Sequence, residues 1–403
     1  MKCVNCNNPK KEFLNFGRLP LANEYKKKNV KSIKKYKLAL SICPSCKLVQ
    51  LTNRPPEKKL YANYFWQTNS SDLIKRYLNN FYKFFKKHYL LKKNPKTIEI
   101  ASNDGYLLSY FKSKKIDITG VEPAYNLAKA CKKSGLDVIN TFFNLTEVKK
   151  IKKSHGEFDY LIARNVLAHI DNINNFFEAI SLITKSKSII FIEFHSLSEI
   201  VKYNQYDSVY HEHNFYLTLS FIEKLSKKFG LYPFDVLHGP IGAGSLLIAL
   251  TKDKKHSMKS LDYQKQIRIE KKLNLNKRIT YQKFADIVAK HKLELYETCF
   301  KQFNKGKKIA AIGASARGNT LVNFTLIKKF IEVYFDRNKL KNKYIYPGTN
   351  KNIQTTDIKE IKKFDVIIIL AWNFKKEIIH YLLKNKFKGT VIIPLPSIEI
   401  KKF

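Results

Sequence analysis

The sequence predicts an α/β protein with two doubly wound, mostly parallel sheets in series behind a small metal-held module. Three observations carry that prediction. From residue 95 to about 250, and again from 306, short β-branched runs alternate with helical segments, the pattern of parallel strands covered by crossover helices. At 403 residues the chain has the length for two or three domains, each with its own core. Four of the six cysteines fall near the start as two C-x2-C pairs, Cys3/Cys6 and Cys43/Cys46.

Residues 1–58 form the cysteine module, closed by Pro55-Pro56, which oppose regular structure. Residues 59–252 form the first α/β unit with a helical cover ahead of it. Within it "KTIEIAS", "IDITGVEP", "FDYLIARNVL" and "KSIIFIEF" read as buried strands, and "GLYPFDVL" and "GSLLIALT" as strands added at the sheet's edge. Residues 253–305 read as a helical connector without Pro or Gly. Residues 306–403 repeat the strand-loop-helix rhythm in "KKIAAIGASARGNTL", "FIEVYFDRN", "FDVIIILAW" and "GTVIIPLP". No short-period repeat is present.

Composition excludes several classes. Hydrophobic residues make up 44% and aromatics 13%, as in globular proteins, and no apolar run reaches the roughly 18–20 residues of a membrane helix. The start "MKCVNCNNPKKEF" has no apolar signal stretch, so a cytoplasmic location with reduced cysteines is expected. The formal net charge of +42 invites a nucleic-acid reading. Its carrier is lysine spread from end to end, while arginine, the residue of bidentate phosphate and base recognition, is scarce. A solvated lysine surface with weak, salt-sensitive attraction to polyanions accounts for it, and no specific nucleic acid or membrane partner is expected.

The cysteine pairs are the sharpest motif. Each C-x2-C lets two thiolates from one turn reach a single ion, and two such knuckles complete a tetrahedral zinc site. With Cys3, Cys6, Cys43 and Cys46 all committed, no position is left open, so the expected Zn(2+) is structural.

In "IEIASNDGYLLSYF" a strand runs into a polar turn and then a helix, which exposes backbone N–H groups where nucleotide-like cofactors bind. Ala101, Asn103, Asp104 and Gly105 are the candidate residues there. The next strand ends in "GVEP", placing Glu122 where an acid can accept from both ribose hydroxyls, with Pro123 beside it. In "RNVLAHI", Asn165 and His169 follow a further strand at the same edge. The turn "GASARGNTL" can cradle phosphates through backbone N–H groups and the Arg317 side chain, with Asn319 and Thr320 alongside; a tight structural turn reads equally from the residues.

"SVYHEHNFYLTL" admits three readings. On a strand His211 and His213 share one face and Tyr210 and Glu212 the other; at a helix start the four fan around a turn. Metal binding needs a third ligand that the sequence does not show, and a structural polar cluster or acid–base chemistry remain.

Taken together, "LPLANEY" between the knuckles, "EIASNDGYLL", "GVEPAYNLA", "NVLAHI", "YHEHNFY", "GASARGNTL", "YPGT" and "LAWNF" resemble the sugar C-methyltransferases of deoxysugar biosynthesis. The resemblance covers nearly the whole chain. It implies an N-terminal zinc module, a class I (Rossmann-like) methyltransferase sheet that binds S-adenosylmethionine, and a C-terminal Rossmann-like domain that binds a nucleotide sugar. At matching positions it implies His213 as general base, Glu212 as its orienting or tuning partner, and Tyr210, Tyr64 and His169 as groups that hydrogen-bond the substrate and steady an enolate. Tyr61 competes with Tyr64 for that position, and Ala101 stands where many methyltransferases have glycine. His211 is left as structural. The implied acceptor is a nucleotide-diphosphate ketosugar, thymidine-linked by resemblance.

The chemistry agrees with that implication. A carbon–carbon bond at a sugar needs a nucleophilic carbon, and only a carbon beside a carbonyl gives an enolate under mild conditions. Two rivals stand against it: a zinc-containing RNA or other nucleic-acid methyltransferase, and a non-enzymatic binding protein on the same fold. The first explains the charge but leaves "YHEHNFY" and the second α/β domain without a task.

Overall fold

The structure is a computed structural model and describes residues 1–27, 33–55, 72–88 and 95–403. Three sheets organise them. A small antiparallel sheet runs β1 (Lys11–Pro20), β2 (Lys35–Ile42), β3 (Val49–Leu51), β9 (Phe215–Tyr216). Its last strand comes from far along the chain: Val49 pairs with Tyr216 and Gln50 with Phe215. The cysteine module is thereby tied to the residues directly after "YHEH".

The second sheet holds β4 (Thr97–Ile100), β5 (Ile118–Val121), β6 (Val138–Ile139), β7 (Phe158–Arg164), β8 (Thr184–His195), β10 (Tyr232–Gly239) and β11 (Ser245–Thr251). The spatial order is β10-β11-β8-β7-β4-β5-β6. β4, β5, β6, β7 and β8 are parallel, and β11 enters antiparallel between β8 and β10. Uniform burial explains the apolar runs: β11 is buried at every position, because helices cover both faces. Strand order reverses at β4, so the loops after β4, β5 and β7 gather at one carboxyl edge, where open α/β sheets bind ligands.

Several helices start on capping side chains. Asn144 accepts from the Glu147 N–H, Asn172 from those of Asn174 and Asn175, Thr218 from Phe221, and Ser315 from Gly318. Each fills a backbone donor that the first helical turn leaves open.

The third sheet holds β12 (Ile309–Ile312), β13 (Ile331–Asp336), β14 (Ile353–Thr355), β15 (Val366–Ile369), β16 (Thr390–Ile393) and β17 (Glu399–Lys402), in the order β14-β13-β12-β15-β16-β17. All but β17 are parallel. The segment expected as a connector contains the helices Leu261–Lys272 and Arg278–Asn304. The longer one does more than connect. Its Tyr281, Phe284, Val288, Leu295 and Cys299 lie in one apolar core with β12, β13 and β15, and with Leu14, Phe16 and Leu40 of the cysteine module. N-terminal module and C-terminal domain therefore share a core.

Candidate active site

The two cysteine knuckles are built alike. Asn7 N–H bonds the Cys3 carbonyl and Lys47 N–H the Cys43 carbonyl, both at left-handed residues, with φ of 57° and 66°. This turns the thiols inward, so all four Sγ atoms lie within 4.8 Å of one another, with Cys3 to Cys46 at 3.6 Å and Cys6 to Cys43 at 3.5 Å. Four sulfurs at about 2.3 Å from one ion stand about 3.8 Å apart, so this donor set fits zinc. Two amides support it: Gln50 donates to Cys3 Sγ at 3.1 Å and Asn8 to Cys6 Sγ at 3.5 Å.

At the carboxyl edge of the second sheet, the loop after β4 is bent by three left-handed residues, Ala101, Asn103 and Gly105, with φ of 57°, 53° and 69°. Only glycine suits position 105, since an added Cβ would stand 2.6 Å from Leu136 and 2.9 Å from the Cys131 sulfur. Glu122 ends β5 and spans this loop, accepting from the Asn103 N–H and the Ala124 N–H, each at 2.8 Å. Those bonds partly offset burial, which raises its carboxyl above the ordinary range. Asp104 turns back on its own chain, accepting from Tyr106 N–H at 3.3 Å. The Pro123 carbonyl accepts from Asn140, and Asn165 is again left-handed, its N–H bonded to the Glu193 carbonyl. All seven predicted cofactor residues thus lie on the β4, β5 and β7 loops.

One residue at this edge escaped the sequence reading. Glu99 interrupts the apolar β4, is 4% exposed, and its Oε2 is buried with no partner. Burial pushes its carboxyl up to about 8, with Asp104 and Glu122 adding repulsion against the pull of Arg164. An orphaned acid in company with two more carboxylates, within a strongly basic protein, suits a positively charged ligand. S-adenosylmethionine, with its ammonium and sulfonium, fits this edge: Glu99, Glu122 and the 101–105 loop would hold it. The signal was available as an acid inside a strand of otherwise apolar residues.

"YHEH" folds as a turn and not as a strand, so its side chains separate. The Tyr210 hydroxyl lies 2.5 Å from Nε2 of His213, and the His169 ring meets the His213 ring edge to face at 4.9 Å. Asn214 makes that meeting possible. Its N–H bonds the Ala168 carbonyl at 2.6 Å and its amide the carbonyls of His169 and Ile170, so the loop after β7 is laced to this turn. Burial lowers His213 well below an ordinary imidazole, with His169, His195 and Arg317 acting in the same direction. His169 is lowered to about 4 by burial, against a hydrogen bond to the Glu212 carbonyl. Both rings are therefore neutral near pH 7.

Glu212 departs from expectation. Its carboxyl is 1% exposed and takes a bond from Asn23 of the "LANEY" segment, while Oε2 is buried without a partner; the side-chain contact that Nε2 of His213 makes is with Tyr210. Neighbours on a turn diverge, and it is the Glu212 main chain, not its carboxyl, that orients a histidine. Burial pushes the carboxyl up to about 7. His211 turns to the Tyr36 carbonyl at 3.2 Å in the cysteine module. Tyr64, and its competitor Tyr61, lie outside the described residues.

The C-terminal turn departs from expectation as well. Arg317 was expected to face phosphates, but its Nε and Nη2 grip both oxygens of Asp207, at 3.0 and 2.7 Å, and Nη1 bonds the Gly242 carbonyl. Asn319 donates to the Pro347 carbonyl and Thr320 to the Val209 carbonyl, both at 2.7 Å. Arg317 and Thr320 are spent on packing the C-terminal domain against residues 205–209, and Asn319 on bracing that domain internally. The physical reason is burial: Asn319 and Thr320 lie inside, where a polar group must find a protein partner. What remains for an anion is the backbone at the start of the helix Ala316–Phe324.

His195, at the end of β8, was also missed. It bonds Gln205 at 3.0 Å and is lowered to about 3, by burial first and Arg317 second.

Comparison with known proteins finds three family matches along the chain. Residues 3–61 match a domain described as zinc binding, 70–235 a methyltransferase domain, and 240–396 a C-methyltransferase C-terminal domain. A curated relative, the C-methyltransferase NovU of Streptomyces niveus, is 25% identical over 367 residues, 90% of this chain and 87% of its own. Among solved structures, an S-adenosylmethionine-dependent methyltransferase from Clostridium acetobutylicum has 12% identity over 48% of this chain and 95% of its own, at a TM-score of 0.35. One from Archaeoglobus fulgidus has 14% identity over 44% of this chain and 94% of its own, at 0.34. Superpositions at that level add nothing to the strand order itself. Among the described residues no helix is long and apolar enough to cross a membrane.

Proposed function

Because this chain is an S-adenosylmethionine-dependent C-methyltransferase with an N-terminal zinc-binding module, we propose that its acceptor is a nucleotide-linked 4-keto sugar, methylated at the carbon beside the ketone. The observation that carries this reading is the neutral, half-buried His213 with Tyr210 and His169 against its ring at the cofactor edge.

A ketone's α proton is too weakly acidic to leave unaided, so the site must take it and steady the charge left behind. His213 offers an unprotonated imidazole, and a positioned base is worth about 10²–10⁴-fold. The C–H electron pair becomes the enolate double bond and the charge moves to the ketone oxygen. Tyr210 is the donor for that oxygen, and removing one such donor costs about 2.7–4 kcal/mol; the neutral His169 ring, whose N–H goes to the Glu212 carbonyl, packs against the base. Bound S-adenosylmethionine supplies the electrophile, a methyl group on a sulfonium that leaves as a neutral thioether. The enolate carbon needs that methyl group in line at roughly 3–3.5 Å, which places base and cofactor loops on the same edge. The proton on His213 then returns to solvent. Tyr64 joins the substrate contacts in this reading, and Glu212 serves the site through its main-chain carbonyl on His169.

The nucleotide diphosphate lies toward the C-terminal domain, with the backbone N–H groups at residues 316–317 as phosphate donors. Incubating the protein with a panel of 4-keto nucleotide sugars and labelled S-adenosylmethionine, read by mass spectrometry, tests the acceptor. His213→Ala is expected to abolish transfer with cofactor affinity nearly unchanged; activity within threefold of wild type removes His213 as base.

A further inference from the structure

We infer that Nδ1 of His195 is the acceptor for a hydroxyl of the sugar, a contact by which the site recognises the keto sugar apart from its nucleotide. This rests on the reading of the acceptor as a nucleotide-linked keto sugar.

Glu122 and the 101–105 loop give the cofactor the ends of β4 and β5. The acceptor has to stand beside the cofactor's methyl group, and the next strand ends along that edge belong to β7 and β8, in the order β8-β7-β4-β5. His195 is the last residue of β8, just past the Glu193 that pairs with Arg164 of β7. The chain leaving β8 is tied to the segment that follows the His213 turn, Leu197 N–H bonding the Leu217 carbonyl at 2.9 Å. From the C-terminal domain, Arg317 reaches Gln205 and the Gly242 carbonyl, the two neighbours of this ring. His195 therefore stands where the methyltransferase sheet, the His213 turn and the C-terminal domain meet.

Which of its nitrogens is free follows from hydrogen-bond roles. Gln205 gives its Nε2 to the Ala243 carbonyl at 2.9 Å, and a carbonyl only accepts, so the atom of Gln205 that faces His195 is Oε1. Arg317 Nη2 donates to that same oxygen at 3.4 Å. The His195 Nε2, 3.0 Å from Oε1, therefore carries the hydrogen. Burial first and Arg317 second lower the imidazole to about 3, so near pH 7 it holds one proton and Nδ1 keeps a bare lone pair. The ring is half-buried, and Nδ1 has no partner among the described residues.

The loop beside it keeps that nitrogen open. Gly242, Ala243 and Gly244 follow one another at φ of 64°, 68° and 137°, which folds residues 240–244 back onto the ring. A Cβ at position 242 would stand 3.4 Å from both Cγ and Nδ1, and glycine leaves that space clear. A neutral ring held by Nε2, with Nδ1 unobstructed, is an acceptor of fixed direction. The O–H of a sugar fits it, whereas a phosphate oxygen, an acceptor itself, does not.

Calorimetry with two ligands tests the contact: the 4-keto nucleotide sugar of the panel that wild type methylates fastest, and the matching nucleoside diphosphate, each with S-adenosylhomocysteine present so that no methyl group moves. His195→Gln keeps a donor for Gln205 and loses the acceptor at Nδ1; His195→Asn keeps an acceptor near Nδ1 and loses the donor. The keto sugar should bind His195→Gln tenfold or more weaker than wild type and His195→Asn within threefold, with the nucleoside diphosphate unchanged in both. The opposite ranking, or equal weakening of both ligands, makes His195 a structural residue and overturns the inference. Gly242→Ala, which leaves His195 in place and crowds Nδ1, covers the case in which neither histidine variant folds: weaker keto-sugar binding with unchanged nucleoside diphosphate supports the contact, and two unchanged affinities remove it. If wild type methylates no member of the panel, the acceptor reading fails and His195 with it. If wild type methylates one while His195→Gln binds it as wild type does, only the His195 contact fails.

Discussion

Tyr210 and His213 are joined by a 2.5 Å contact from hydroxyl to Nε2, with ring centroids 4.0 Å apart. Tyr210→Phe keeps the ring packing and deletes that contact. If the hydroxyl also serves the enolate oxygen, kcat should drop about 10²–10³-fold, equivalent to about 2.7–4 kcal/mol, while the melting temperature holds. Steady-state kinetics with the best 4-keto nucleotide sugar checks this; a kcat within threefold of wild type removes Tyr210 from the chemistry.

Glu99 is a carboxylic acid raised from 4.5 in an exposed setting to about 8 in the fold. The sign follows from proton counts. Between those values the folded state holds a proton that the unfolded state has released, so stability falls as pH rises from about 4.5 through 8. Glu99→Gln should remove that loss, and its stability relative to wild type should increase between pH 5 and 8 in urea titrations. A constant difference across that range means Glu99 is ionised in the fold.

The buried imidazoles run the other way. His169 and His211 are lowered to about 4 and His195 to about 3, chiefly by burial. The unfolded state then binds more protons below about 6.5, and their contribution is lost as pH falls from there toward 4. His211→Asn, placed against the Tyr36 carbonyl and away from the proposed chemistry, should reduce the acid sensitivity of the unfolding midpoint between pH 6.5 and 4. An unchanged pH slope would mean that His211 titrates normally.

Gly105→Ala adds a Cβ at φ +69°, 2.6 Å from Leu136. The left-handed backbone alone costs roughly 1–2 kcal/mol, and the contact adds to it. S-adenosylmethionine affinity by calorimetry should weaken at least tenfold, and Kd within twofold of wild type would show that this loop does not shape the cofactor site.

Zinc removal should do more than loosen the first fifty residues. Chelation is expected to release zinc, lower the melting temperature and reduce methyl transfer, with recovery on adding zinc back. Protein purified without any zinc, yet fully active, contradicts the assignment of the four cysteines.

Much of this was legible because the signals are local. A C-x2-C turn, a strand that stops at a polar loop, and an acid at a strand end each announce themselves within a few residues, so Cys3 to Cys46, the 101–105 loop and Glu122 were readable. The long-range contacts around the site were harder. Asp207 and Arg317 are 110 positions apart and Asn23 and Glu212 are 189 apart. In sequence, Arg317 looks like any arginine in a glycine-containing turn, and only the fold shows that its donors are already taken. Glu212 misled for the opposite reason: adjacency in the chain suggested contact with His213, but a turn sends neighbouring side chains to different sides.

Gln50 carries a last consequence. Its amide bonds the Cys3 sulfur while its backbone pairs with Phe215, two residues beyond His213. One residue thus braces a metal thiolate and the strand that leaves the His213 turn, so damage to the cysteine knuckles is expected to reach that turn through a single side chain and its own main chain.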